Sequence, residues 1–380
     1  MKKSLIAAAV AGLFAAPAAM ADVTISGAIN MGIASIDSDD SVGGTPGDGQ
    51  GLTSLATNYS NMNVSSVDDI GNGNKVILNI QFALGALNNN SDISNRNSYL
   101  GIEGGWGSFK MGTNENVYER WAYESDPFDG AAGIGGNIQM LGQSGLHGSD
   151  WFETGNGQAD DNGSFWRRTE HTVWYNSPNW NGFTFEVDQT LSAYKTATVD
   201  PVITSLGAQF KPEGGRWFVN VGLETHSDST MDLTGIGLTA TEIVDATGTS
   251  VGGGFAFGPA LITARFEQLE YELTDGSATV KRDHVWVGLK WTLASGYVAA
   301  SIGQADELQV EGATPSPDSG SAMFAVGYYH NLSKQSQLYG VVTSIDNDPN
   351  ANYGIGAGTG STGGFGSSHT AITVGMKHTF

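Results

Sequence analysis

Apolar and polar residues alternate along most of the chain. From Val23 to Ile33 every odd position except Gly27 is large and apolar, and every even position is small or polar. The same period of two runs through Phe183, Phe185, Val187 and Leu191 against Thr184, Glu186, Asp188 and Thr190. It recurs in Trp217–Glu224, in His284–Leu293 and in Ala371–Phe380, the last with Ile372, Val374, Met376 and Phe380 on one face. A period of two is the signature of strands with one greasy and one wet face. The runs reach about ten residues, the length a tilted strand needs to cross a bilayer.

Sixteen such strands are predicted, starting near residues 23, 58, 75, 97, 107, 170, 182, 202, 217, 249, 260, 280, 295, 321, 337 and 369. Their connections alternate. Short turns such as Asp69–Asn74, Gly104-Gly105-Trp106, Ser177–Gly182, Lys211–Gly215, Gly258-Pro259 and Leu332–Gln335 are separated by long polar loops, among them Ser38–Thr57, Ser227–Thr247 and Asn347–Ser368. Helices and closed barrels alone satisfy their backbone in lipid. Short turns at one end and long loops at the other therefore predict an all-β fold: a transmembrane antiparallel β-barrel with short periplasmic turns and long external loops. A soluble sandwich also alternates, but the even strand count, the loop asymmetry and the terminal outward phenylalanine argue against it. So does a polar face rich in Asn, Thr, Glu and Gly, which suits a dry core poorly. Nothing helical separates the strands, which excludes a doubly wound fold.

The first 21 residues stand apart. Met1-Lys2-Lys3 is basic, Leu5–Ala16 is a short apolar run, and Ala19-Met20-Ala21 offers small residues for signal peptidase. This reads as a secretory signal over 1–21, leaving one barrel domain over 22–380. Removal of its two lysines takes the formal net charge from −22 to −24. Such an acid excess excludes a nucleic-acid partner, which needs a basic face. The absence of cysteine excludes disulfides, thiolate metal sites and thiol catalysis. High glycine (54 residues) and 37 aromatics suit a turn-rich β protein.

Five segments, in order, carry a resemblance. Asp22–Gly27, Arg96–Gly112, His171–Phe183, Gly327–Lys334 and Val374–Phe380 resemble the first strand, three hairpins and the terminal assembly signal of the Gram-negative general porins, the trimeric outer-membrane porins of the neisserial and beta-proteobacterial type. The resemblance implies a homotrimeric outer-membrane channel passing small hydrophilic solutes and ions, with lipid and lipopolysaccharide around it. It also implies that the third external loop, here 113–169, folds inward and narrows the pore. Thr113 stands where the family often places an arginine.

Rings of charge select ions at a constriction. The acids Glu115, Glu119, Glu124, Asp126 and Asp129 of that loop are expected to favour cations modestly, with Lys75, Lys110, Arg120, Arg167 and Arg168 opposing them. Lys110 shares parity with Gly112 and should face the lumen; of the adjacent Arg167 and Arg168, strand geometry allows one to face in. Arg96 is expected to support the rim. Trp174, Tyr175, Trp180, Phe183, Trp291, Tyr328 and Phe380 fall near strand ends and are expected to form interfacial girdles, Phe380 being the outward assembly signal. Two other functions fit a barrel: a channel specific for one small molecule, or an adhesive barrel with a closed lumen.

Signals for chemistry are poor, and neither catalysis, a metal nor a cofactor is expected. Gly358-Thr359-Gly360-Ser361-Thr362-Gly363 matches a dinucleotide fingerprint without a helix behind it. Asp346-x-Asp348-x-Asn350 is a fragment of a calcium loop lacking its Gly and Glu. The seven histidines are scattered without ligand spacing, and Ser144 with His147 lacks an orienting third group.

Overall fold

The computed structural model describes residues 22–43, 49–57, 59–84, 96–128, 135–146, 164–191, 195, 199–231, 242–311, 318–356 and 364–380. The predicted signal segment 1–21, Asp129, His147 and the fingerprint at 358–363 lie outside them.

Eighteen strand segments form one antiparallel sheet that closes on itself. They are β1 (Asp22–Ser38), β2 (Leu52–Thr57), β3 (Asn61–Gly71), β4 (Asn74–Ala83), β5 (Ser98–Gly104), β6 (Gly107–Glu115), β7 (Arg168–Asn176), β8 (Phe183–Thr190) and β9 (Val202–Phe210). The circuit continues through β10 (Trp217–Met231), β11 (Glu242–Phe257), β12 (Ala260–Leu273), β13 (Thr279–Leu293), β14 (Gly296–Ala305), β15 (Gln309–Glu311), β16 (Ser321–Asn331), β17 (Ser336–Asn347) and β18 (His369–Thr379). Segments β2 and β3 both pair with β1 and are two halves of one broken stave; β14 and β15 likewise share β13. The barrel therefore has sixteen staves. Closure runs along β1 and β18, with Ala28 opposite Thr379 and Ser38 opposite His369. The backbones of Gly27 and Phe380 exchange two 3.0 Å hydrogen bonds at that seam, so the last residue closes the ring.

The short turns have the chemistry that tight hairpins require. Asn72 and Gly73 both adopt positive φ (57° and 75°), as a two-residue turn matching the twist of its strands demands. At the opposite end two strands begin earlier than alternation alone indicates. The second stave starts at Leu52 and breaks before Asn61, and β11 starts at Glu242, so the loops expected at Ser38–Thr57 and Ser227–Thr247 are shorter.

The outward face is apolar around the circumference: Ile33, Leu100, Val221, Ile262, Leu289, Phe324 and Val374 are all exposed. Trp180, Phe183, Trp291, Tyr328 and Phe380 point outward as expected. Trp174 does not. It sits on the same parity as Thr172 and Asn176, is buried, and meets Tyr99 edge-on at 5.4 Å inside the barrel. The inner face also departs from expectation. Part of it is dry, because Phe128, Ile138, Met140, Leu141, Leu146 and Phe165 of the third long loop pack inside against wall residues such as Leu269, Tyr271 and Trp286.

Candidate functional site: a loop braced across the lumen

The chain leaves β6 at Glu115 and re-enters the wall at Arg168. Its first described piece is a six-residue helix, α1 (Val117–Ala122), followed by a single 3-10 turn over Tyr123–Ser125. A helix this short is marginal by itself. Asn116, its N-cap residue, makes no side-chain cap. The wall supplies the cap instead. Asp188 on β8 accepts from the Val117 N–H at 2.8 Å, and Ser205 on β9 from the Tyr118 N–H at 3.1 Å. These satisfy two of the orphan donors every helix start carries, and the carboxylate suits the positive end of the helix.

Further anchors follow strand by strand. Asn116 donates to Glu224 on β10 at 3.1 Å, and Glu224 in turn meets His226 at 2.7 Å. On β12, Arg265 donates to the Trp121 carbonyl at 2.7 Å, Thr263 to the Ser125 carbonyl, and Glu267 accepts from the Tyr118 hydroxyl at 2.9 Å and the Gly142 N–H at 2.6 Å. His284 on β13 lies 3.2 Å from Glu267 and bonds Tyr353 at 2.8 Å. Between the anchors, small wall residues let the loop lie flat. A methyl at Gly207, Gly248 or Gly288 would come within 3.0 Å of Trp121, Phe165 or Pro127 respectively. Inward polar groups and inward glycines on consecutive staves thus hold the loop across one wall of the lumen.

The predicted charges divide between roles. Glu115 is ion-paired with Arg168 and lies 3.6 Å from Arg96. Glu119 is buried and accepts from the Tyr123 hydroxyl; burial pushes its carboxyl up to about 7. Glu124 is half-exposed and 3.1 Å from Lys211. Asp126 is buried and accepts from the Phe128 N–H at 2.8 Å and the Asn137 N–H at 3.2 Å, so it shapes the loop.

Arg120 pairs with Glu186, lies 3.6 Å from Asp188, and donates to the Glu115 carbonyl at 2.7 Å. Lys110 bonds Asn176 at 2.9 Å and sits 5.3 Å over the Tyr99 ring. Arg168 also donates to Asn97 at 2.9 Å, whereas Arg167 donates to the Ser164 carbonyl at 3.0 Å. Arg167 precedes the first residue of β7, so strand parity does not choose between the two. Lys75 neighbours this group through Asn176, which also bonds Lys110. It lies 3.9 Å from Glu103, in a 380 Å³ recess at the short-turn end lined also by Gly104, Ser108 and Asn176. Arg96 does more than support a rim, since its guanidinium stacks 4.9 Å over Tyr59 at the break in the second stave.

The anchors Asp188, Glu224, Arg265, Glu267 and His284 were not among the expected site residues. Their signal is a charged or basic side chain on the wet parity of a spanning strand, where a plain solvated wall would do as well with Ser or Thr.

These features define a class: a membrane-spanning barrel with an apolar girdle and an inward loop that narrows a charged lumen. The chain belongs to the Gram-negative porin family, which it matches over residues 7–350. It is 26% identical to outer membrane porin protein 32 of Delftia acidovorans over 394 aligned positions spanning all of both chains. It is 33% identical to the major outer membrane protein P.IB of Neisseria gonorrhoeae over 138 positions, 34% of this chain and 38% of that one. Among solved structures, an anion-selective porin from Comamonas acidovorans superposes with a TM-score of 0.76 at 21% identity, over 95% of this chain and 100% of that one. A trimer form of OmpT from Vibrio cholerae gives 0.68 at 14% identity, over 95% and 99%. The protein is a porin channel of the Gram-negative outer membrane.

Proposed function

We propose that the chain is a water-filled channel for passive diffusion of small hydrophilic solutes and ions, working as a homotrimer after removal of residues 1–21, with lipopolysaccharide around its long-loop end. What supports the reading is the inward loop itself: it is fastened to the wall of a closed barrel by buried polar groups, with charged side chains gathered at its root. Family and fold point to a channel rather than a catalyst.

A modest cation preference belongs to this reading, but its source moves. The inward-loop acids Glu115, Glu119 and Asp126 are paired, buried or bonded to backbone, and Glu124 meets Lys211. The acid excess of the chain then acts from the mouths, where salt screens it beyond about 8–10 Å. One observation favours the opposite sign. Arg96, Arg120, Arg168 and Lys110 gather near the root of the loop against Glu115, Glu186 and Asp188, and the Comamonas acidovorans porin of the same fold is anion-selective.

Planar-bilayer recordings of the purified oligomer in a tenfold salt gradient test both. A small reversal potential of cation sign supports the first reading, and one of anion sign transfers control to the arginines. Block by one solute at low concentration would instead mark a solute-specific channel. No conductance, with no liposome swelling, would mean a closed, structural barrel.

A further inference from the structure

The break in the second stave places an aromatic residue in an unusual state. Tyr59 has φ +52°, the left-handed region that aromatic residues rarely adopt and that persists only where the surroundings hold it. Its ring lies under the Arg96 guanidinium at 4.9 Å, and its hydroxyl lies beside that of Tyr123. Tyr123 follows α1 in the inward loop, packs edge-on against Trp166 at 5.4 Å, and donates to Glu119. Glu119 is 5% exposed, and its second oxygen has no hydrogen-bond partner among the described residues. The inward loop is tied to β8–β12 on one side of the lumen. The chain Glu119–Tyr123–Tyr59 reaches from it to the broken stave between β2 and β3.

We propose that Tyr59, Tyr123 and Glu119 form a proton-operated latch, which holds the inward loop against the broken stave while Glu119 is neutral and lets go when Glu119 ionises. The inference rests on the channel reading above. Charged and titratable groups face Glu119 from every side: Arg120 and Tyr123 from its own loop, Arg96 from the start of β5, Glu224 from β10, and Tyr59 from the break, itself beside Arg168 of β7. The two arginines and the Tyr123 hydrogen bond favour the carboxylate; burial, the largest influence, and Glu224 oppose it and prevail.

The sign follows from linkage. In the docked loop the carboxyl is raised from an ordinary 4.5 to about 7, so docking favours the protonated form. Docking carries no electrostatic cost below the ordinary value. The cost grows as pH rises through 4.5 to about 7 and levels off above. Between pH 5 and 8 the docking equilibrium weakens by roughly a hundredfold.

Single-channel conductance of the assembled protein at pH 5 and pH 8.5, in equal salt, reads this directly. The wild type should conduct at least twofold more at the higher pH. Glu119→Gln should stay at the low level at both. Tyr59→Phe, which lacks the hydroxyl that meets Tyr123, should conduct more than wild type at pH 5 and respond less to pH. A wild-type conductance that ignores pH overturns the latch and leaves the channel standing; so does a Glu119→Gln variant that keeps the full response. Absence of conductance at either pH overturns both.

Discussion

The membrane band of the barrel and the crown above it use the same strands with opposite polarity. In the band, β12 turns Ile262 and Phe266 outward and Thr263, Arg265 and Glu267 inward. A few residues on, the same strand turns Gln268, Glu270 and Glu272 outward and buries Leu269, Tyr271 and Leu273 inside. Other staves invert likewise: β17 passes from outward Val342 to outward Ser344 and Asp346 while burying Val341 and Ile345, and β13 from outward Val285 to outward Asp283 and Lys281 while burying Val280. Along these three strands the period of two holds throughout. What changes is the solvent on each side: lipid outside and the polar lumen inside for the band, water outside and the packed loop inside for the crown.

The sharpest way to break this contrast is to place one charge on the same outward face at two heights. Val374 on β18 is 64% exposed to the outside in the apolar band, and Thr370, four residues earlier on the same face, is exposed in the polar crown. Val374→Arg should cost about 2–4 kcal/mol of unfolding free energy in lipid vesicles. Thr370→Arg should change it by less than about 0.5 kcal/mol. Equal costs would mean that the lipid boundary does not lie between them.

That inversion also explains what was legible in the sequence. Strands whose apolar residues mostly face lipid, such as Trp217–Leu223, where Phe218 turns inward, and Ile372–Phe380, declare both their existence and their outward face. The first half of β11, where Val244 and Ala246 are the buried side, carries the reverse sense and reads as loop. The inward loop has no period at all. Its acids could be found by composition, but not their partners, because Asp126 bonds its own turn while Glu119 is buried beside residues from three other segments. The wall anchors were visible as charges on the wet face. Only the path of the loop shows which of them meet it.

A second test weakens one anchor without disturbing the wall. Tyr118→Phe removes the hydroxyl that donates to Glu267 at 2.9 Å, leaving that buried carboxylate with the Gly142 N–H and His284. Loss of one partner from a buried acceptor costs about 1–3 kcal/mol. The barrel should still assemble and run as a folded species on a gel, since no strand pairing is touched, while the inward loop becomes more sensitive to protease. Unchanged protection of the loop would show that Tyr118 is held by packing against Phe165, at 5.8 Å between ring centres, rather than by the hydrogen bond.

The smallest effect on stability is expected at the exposed pair of Lys211 and Glu124, where loop and wall meet in water. Their side chains are 55% and 36% exposed and 3.1 Å apart. Exposed pairs of this kind are worth about 0–1 kcal/mol, and Lys211→Ala should therefore move the unfolding midpoint very little. Lys211 also lies 5.4 Å over the Phe218 ring, so part of even that small loss is packing. The consequence for permeation is separable, because Glu124 is left as an unpaired carboxylate on the inward loop. Charge beside a narrow passage is less screened than charge on an outer loop. Lys211→Ala should shift the reversal potential toward cations, and Lys211→Ala combined with Glu124→Gln should bring it back. A single variant that leaves the reversal potential untouched would place Glu124 outside the ion path and leave selectivity to the charges at the root of the loop.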